Sequence, residues 1–158
     1  MKRAVSISIG SSKRDKAVEV TLLGEKVSIE RIGTDGDMEA AALKYKELDG
    51  TVDAFGVGGA DLGAIVDGKW YALHSVTPMV RYVKKTPLVD GGGLKNTLEN
   101  KAPAFLDKKI GDYINSRGRK VLVTLGVDRW GLSQAFASAN YETIFGDLMF
   151  GLDIPIAI

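Results

Sequence analysis

Cysteine is absent from the 158 residues. That excludes a disulfide framework, a thiolate metal site and a cysteine nucleophile. Histidine occurs once, at His74. No carboxylate stands beside it in sequence, so a surface or capping role is expected of it rather than acid–base work. No His/Asp/Glu spacing of the metal-ligand kind appears, and no G-x-S-x-G elbow is present. No apolar run approaches the roughly 20 residues of a membrane span. The basic start, MKRAVSISIG, runs into alternating serines, so it reads as a strand and not as a signal peptide. An excess of either charge is also lacking: Lys plus Arg is 21 and Asp plus Glu is 20. That balance points neither to nucleic acid nor to a membrane surface as partner. A cytoplasmic enzyme or binding domain is expected.

Apolar residues make up 45% of the chain and charged residues 26%, enough for one domain with a real core. Val5, Ile7 and Ile9 alternate with Ser6 and Ser8, a strand period. Residues 18–22 and 27–32 alternate again around Gly24-Glu25, which suits a two-residue turn. The chain is expected to open with a β meander. Asp35 or Asp37 can cap a helix carrying Met38, Ala41, Ala42, Tyr45 and Leu48, with Gly50 just past its end. Residues 52–57 form the next strand, and strand, helix, strand in that order argue for a parallel crossover.

Asp67-Gly68 between two short apolar runs predicts a hairpin over residues 62–73. Thr77-Pro78 is expected to cap and start a short helix. Further on, Pro103 suits the start of a helix whose inner face would be Phe105, Leu106, Ile110, Tyr113 and Ile114. Residues 120–125 and 141–145 read as strands around a helix that Asn140 closes. The pattern is that of a single three-layer, Rossmann-like α/β domain with a mostly parallel sheet, an N-terminal meander and an inserted hairpin.

The stretch most suggestive of function is TPLVDGGGLKNTLE, residues 86–99. A strand runs into Gly91, Gly92 and Gly93, and a helix is expected from about Leu94. Consecutive glycines suit φ > 0 or a close approach to the backbone. The alternative is a tight turn that lets the helix pack on the sheet. Ligands of open α/β sheets bind beyond the carboxyl ends of the strands. The expected site there comprises Asp90, Gly91, Gly92, Gly93, Lys95 and Asn96, with Asp128 and Arg129 from a later loop and Gly58, Gly59 and Asp61 on its rim. Glycine N–H groups, Lys95 and Arg129 would receive an anionic group, and Asp90 and Asp128 would accept from ligand hydroxyls. The alternative is that the two acids cap helices. Gly56-Val57-Gly58-Gly59-Ala60 has the look of a dinucleotide loop, but that chemistry needs a helix next, where Asp67-Gly68 predicts a hairpin. The apolar run 146–158 is a possible face for a second copy or a partner domain.

Several stretches together resemble a bacterial family labelled quinate 5-dehydrogenase. They are AVSISIGSSKRDKAVEVTLLGEKVSIERIGTDGDMEAA, VDAFGVGGADL, the glycine stretch above, GVDRWGLSQA and YETIFGDLMFGLDIPI. The resemblance covers nearly the whole chain. It implies an NAD- or NADP-dependent oxidoreductase, and a polypeptide that is the N-terminal domain or a fragment of a longer protein. Shikimate and quinate dehydrogenases carry an N-V-T-x-P-x-K substrate motif and a catalytic Lys/Asp pair. The motif is absent here, and nothing in the sequence maps Lys95 and Asp128 onto the pair. The residues themselves therefore point to binding of a small polar anionic metabolite, with the cofactor left unnamed. A non-catalytic ligand-binding or assembly domain is the alternative.

Overall fold

The computed structural model describes residues 1–156 and 158. Ala157, within the terminal apolar run, lies outside the described residues. The chain is mixed α/β, and it divides into two compact units. One holds Met1–Gly63 and Ala72–Gly91; the other holds Ala64–Tyr71 and Gly92–Ile158.

The first unit is built on a five-stranded sheet. Its strands are β1 (Lys2–Ser8), β2 (Lys16–Leu22), β3 (Glu25–Gly33), β4 (Ala54–Gly58) and β7 (Leu88–Val89), in the order β2-β3-β1-β4-β7. Only the β2–β3 pair is antiparallel; β3, β4 and β7 run parallel to β1. The expected meander is therefore corrected. β2 and β3 form a hairpin, but β3 lies between β2 and β1, in register from Lys2 opposite Val27 to Ser8 opposite Gly33. Alternation fixes the face of each side chain but not the neighbouring strand. β2 is exposed at nearly every position and carries Lys16 and Glu19, which suits a sheet edge. Its turn is Leu23-Gly24, both at positive φ (50° and 84°), and not Gly24-Glu25, because Glu25 already pairs with Leu22.

Helix α1 (Met38–Leu48) carries the chain from β3 past β1 to β4. Of the two candidate caps it is Asp37 that accepts from Ala40 N–H at 2.9 Å. Gly50 takes the left-handed conformation just past the helix end, φ 83°. Ala41, Ala42 and Tyr45 face inward, and Tyr45 packs edge-on against Phe55 of β4, ring centroids 5.0 Å apart. Val5, Ile7, Val57, Val76 and Met79 complete this core. The carboxylate of Asp49, at the C-terminus of α1, accepts from the N–H groups of Lys84, Lys85 and Thr86. Those bonds, that of Thr86 foremost, hold its carboxyl below the usual range. They deliver the chain into β7. The short helix α2 (Thr77–Val80) begins at Thr77, but its cap position is Val76 and no side chain caps it.

β5 (Gly63–Val66) and β6 (Lys69–Ala72) form the expected hairpin. Asp67 and Gly68 both have positive φ, 50° and 72°.

The second unit contains α3 (Gly92–Lys95), α4 (Ala102–Ser116), β8 (Lys120–Val123), α5 (Trp130–Ser138) and β9 (Glu142–Phe145). β8 and β9 are parallel, so β8–α5–β9 is a strand–helix–strand unit. The helix expected from Leu94 is a single turn followed by a 3-10 turn over Glu99–Lys101. Pro103 stands in the first turn of α4, as its missing N–H allows. The expected inner face of α4 is corrected: Leu106 and Ile114 pack on the core, but Phe105, Ile110 and Tyr113 are exposed. A break at Ile110 (φ −141°, ψ 28°) interrupts the helical spacing that would have kept Ile110 and Tyr113 on one face with Leu106; Phe105 precedes it. Val123, Phe136 and Tyr141 form the centre of this core. Residues 147–151 form a π-helical turn.

Candidate functional site

The sheet of the first unit ends its parallel strands at one edge: Ser8, Gly33, Gly58 and Val89. Hydrogen bonds tie the loops beyond them together. Ile9 N–H donates to Gly58 O at 3.1 Å, Thr34 N–H to Ser8 O at 2.8 Å, and Asp35 N–H to Gly10 O at 3.1 Å. Asp35 accepts from both the N–H and the hydroxyl of Ser12, bonds that hold its carboxyl below the usual range.

Gly58 and Gly59 are required by this packing. A Cβ on Gly58 would stand 2.6 Å from Ser8 Cβ, and Gly59 has φ 73° with Ile9 Cγ1 3.0 Å from its missing Cβ. The chain then enters the β5–β6 hairpin and not a helix. A nicotinamide dinucleotide needs a glycine backbone open to its pyrophosphate at a helix start. Here the chain itself occupies the space that Gly58 opens, and no helix follows, so these residues do not fit that group.

Asp90 accepts from Leu62 N–H at 2.7 Å, tying the end of β7 to the loop after β4. Gly91 lies close by: its missing Cβ would meet only Asp61 Oδ1, at 3.9 Å. Neither Gly91 nor Gly93 has positive φ, and a Cβ on Gly93 would meet nothing within 4 Å. Positive φ and close approach by the chain were the two ordinary reasons to keep glycine there, and neither applies at these two positions.

Gly92, Gly93, Lys95, Asn96, Asp128 and Arg129 belong to the second unit. Lys95 Nζ donates to Asp128 Oδ1 at 2.7 Å, with the lysine side chain 16% exposed and the aspartate 34%. Arg129 pairs with Glu99. Asn96 turns its Nδ2 back onto Gly92 O at 2.8 Å, and Asn100 Nδ2 reaches Asn96 O at 3.1 Å. Glu99 Oε2 and Asn100 Oδ1 are buried with no hydrogen-bond partner among the described residues. Arg129, not Asp128, occupies the cap position of α5, and no side chain caps that helix. The aspartate is thus held by a lysine and does not close the helix.

Two residues that the sequence did not single out set this loop. Asp147 accepts from Gly126 N–H at 2.8 Å and Val127 N–H at 2.9 Å. Ser133, 2% exposed, donates its hydroxyl toward Gly126 O at 3.0 Å. An acid at the end of one strand facing a glycine loop after its neighbour was the available signal, but it needed the β8–β9 pairing to be read. His74 is exposed, in a 3-10 turn.

The fold and these clusters define a mixed α/β protein with a polar lysine–aspartate cluster in its second unit. Residues 3–90 match the family model described as a domain of unknown function, DUF8753, which covers more than half of the chain, and the chain belongs to that family. Residues 93–158 match a second model, also described as a domain of unknown function, DUF8754. The two matches meet at the glycine run, where the two compact units also divide, between Gly91 and Gly92. No curated protein and no solved structure matches. Among the described residues no helix is long and apolar enough to cross a membrane.

Proposed function

We propose that this chain binds a small, hydroxylated, anionic metabolite at the Lys95–Asp128 cluster. The observation that carries the reading is the 2.7 Å pair itself, with its lysine largely withdrawn from water. Such a pair offers a ligand hydroxyl both a donor and an acceptor. Arg129, next to Asp128 in sequence and paired with Glu99, brings a guanidinium group to the same loop. The bare backbone at Gly93 accords with something outside the chain approaching it. Resemblance to the quinate 5-dehydrogenase family supplies the substrate class, cyclic polyhydroxy acids.

The reading takes the parallel-rich sheet as part of a Rossmann-like three-layer arrangement in a cytoplasmic protein. It leaves hydride transfer outside what this chain does alone, because Gly58-Gly59 is not a dinucleotide loop. A thermal-shift screen against quinate, shikimate and simpler hydroxy acids tests it. A ligand at 100 times its dissociation constant stabilises by about 2.7 kcal/mol. No shift with any hydroxy acid would remove the reading.

One observation favours an assembly domain instead. Phe150, Leu152, Ile154 and Ile156 are all exposed, beside an apolar cleft of about 370 Å³ lined by Trp130, Phe145 and Leu148. A second copy or a partner domain would cover such a face. Sedimentation velocity tests the second copy, since self-assembly requires a concentration-dependent mass and metabolite binding does not.

A further inference from the structure

The strand order β2-β3-β1-β4-β7 changes direction beside β1: the chain goes from β1 to β3 on one side and then returns to β4 on the other. Open α/β sheets bind ligands at such switch points, beyond the carboxyl ends of the strands. Ser8 ends β1 there and is 3% exposed. Its Oγ accepts from Gly10 N–H at 3.1 Å and from Arg31 Nη2 at 3.1 Å. Both lone pairs are thereby used, and the hydroxyl proton has no acceptor among the described residues.

Two guanidinium groups meet at the same corner. A Cβ on Gly10 would stand 2.7 Å from Arg14 Nη2, 3.1 Å from Arg31 Nη2 and 3.2 Å from Ser8 Oγ. The two nitrogens are hence within about 6 Å of each other, where like charges repel. Arg31 is matched on its other nitrogen, Nη1, by Asp15 Oδ1 at 2.7 Å. Arg14 has no carboxylate partner among the described residues. The acids nearby are engaged elsewhere: Asp15 also accepts from Gly33 N–H, and Asp35 is held by Ser12. On the far side a Cβ on Gly58 or Gly59 would lie 3.0 Å or 3.4 Å from Ser8 Oγ. Glycines at positions 10, 58 and 59 therefore keep side chains away from that hydroxyl.

We propose that Ser8, Arg14 and Arg31 form a binding site for a phosphoryl group at the carboxyl end of β1. Three convergent donors, with the Arg14 charge uncompensated by any carboxylate among the described residues and that of Arg31 shared with Asp15, match a dianion with three terminal oxygens better than a carboxylate, which has one charge and two oxygens. The bound dianion separates the two guanidinium groups and accepts the serine proton. The site lies wholly within the first unit and is independent of the Lys95–Asp128 reading.

The test is calorimetric titration of the full chain with inorganic phosphate, AMP and glucose 6-phosphate in separate runs. Saturable binding of at least one is expected. Arg14→Gln, an exposed position, weakens it about tenfold or more, the loss of one charge-assisted hydrogen bond. Lys26→Gln, at the opposite end of β3, leaves it within about twofold. Binding of inorganic phosphate assigns a free anion; binding of AMP or glucose 6-phosphate alone assigns a phosphorylated ligand. No binding of any of the three, or equal affinity in Arg14→Gln, overturns the proposal.

Discussion

Lys95 and Asp128, 33 residues apart in sequence, meet through a 2.7 Å hydrogen bond between Nζ and Oδ1. The lysine is 16% exposed and the aspartate 34%, so neither is a freely solvated charge. Removing one partner leaves the other less well solvated than in the unfolded chain. Lys95→Ala should therefore cost about 1 kcal/mol of unfolding free energy, discounted from the value of a buried pair because Asp128 keeps access to water. Urea denaturation measures this. A double-mutant cycle with Asp128→Asn should show that most of the loss is shared, and independent losses would mean the pair is incidental.

The glycines of the two loops should respond in opposite ways. Gly58→Ala places a methyl 2.6 Å from Ser8 Cβ, backed by the Ser8 backbone at 3.0 Å, which cannot move aside cheaply. It should destabilise by about 1–3 kcal/mol. Gly93→Ala meets nothing within 4 Å and has ordinary φ, so it should be neutral or stabilising by up to about 1 kcal/mol. Unfolding midpoints of the two variants, compared at equal m-value, check this. Destabilisation of Gly93→Ala on the scale of Gly58→Ala would mean the chain itself needs that glycine.

Tyr45 is fully buried, and its hydroxyl stands 3.2 Å from Ile7 O and 3.0 Å from Gly56 O, linking α1 to β1 and β4. Burial raises its phenol pKa, so it stays a neutral donor at any working pH. Tyr45→Phe keeps the ring packed on Phe55 but removes both hydroxyl contacts. A loss of about 1–2 kcal/mol is expected by chemical denaturation, far less than the cost of Tyr45→Ala.

The acid limb of the stability curve should depend on Asp107. Arg119, at 3.0 Å, and then the Tyr141 hydroxyl, at 2.7 Å, hold its carboxyl below the usual range. A carboxyl lowered in the folded state adds stability that is present above its unfolded value, about pH 4, and is lost as pH falls from there through the lowered one. Asp107→Asn should flatten the fall in urea midpoint between neutral pH and about pH 3. An unchanged slope would assign the acid limb to other carboxylates.

What could be read in the sequence follows from the range of each interaction. The Asp67-Gly68 hairpin was legible because its turn needs two residues that tolerate positive φ, and both take it, at 50° and 72°. The Asp37 cap and the Pro103 helix start are equally local. The place of β3 beside β1 was not legible, because alternation sets faces and not neighbours. Nor was the break at Ile110, which no proline or glycine pair announces. Among the site residues, the glycine run was visible, but the partners of Lys95 and Arg129 come from 33 and 30 residues away. The corner formed by Ser8, Arg14 and Arg31 was hidden for the same reason: β1 and β3 must first be side by side.

The central claim is that a hydroxylated anion binds at Lys95 and Asp128. Calorimetric titration of quinate and shikimate into the full chain, its Lys95→Ala and Arg129→Ala variants, and a control variant Lys46→Ala tests it most directly. The account predicts binding by the wild type and the control, a loss of about tenfold or more in each site variant, and no reduction of added NAD or NADP. Binding that survives unchanged in both Lys95→Ala and Arg129→Ala would contradict it.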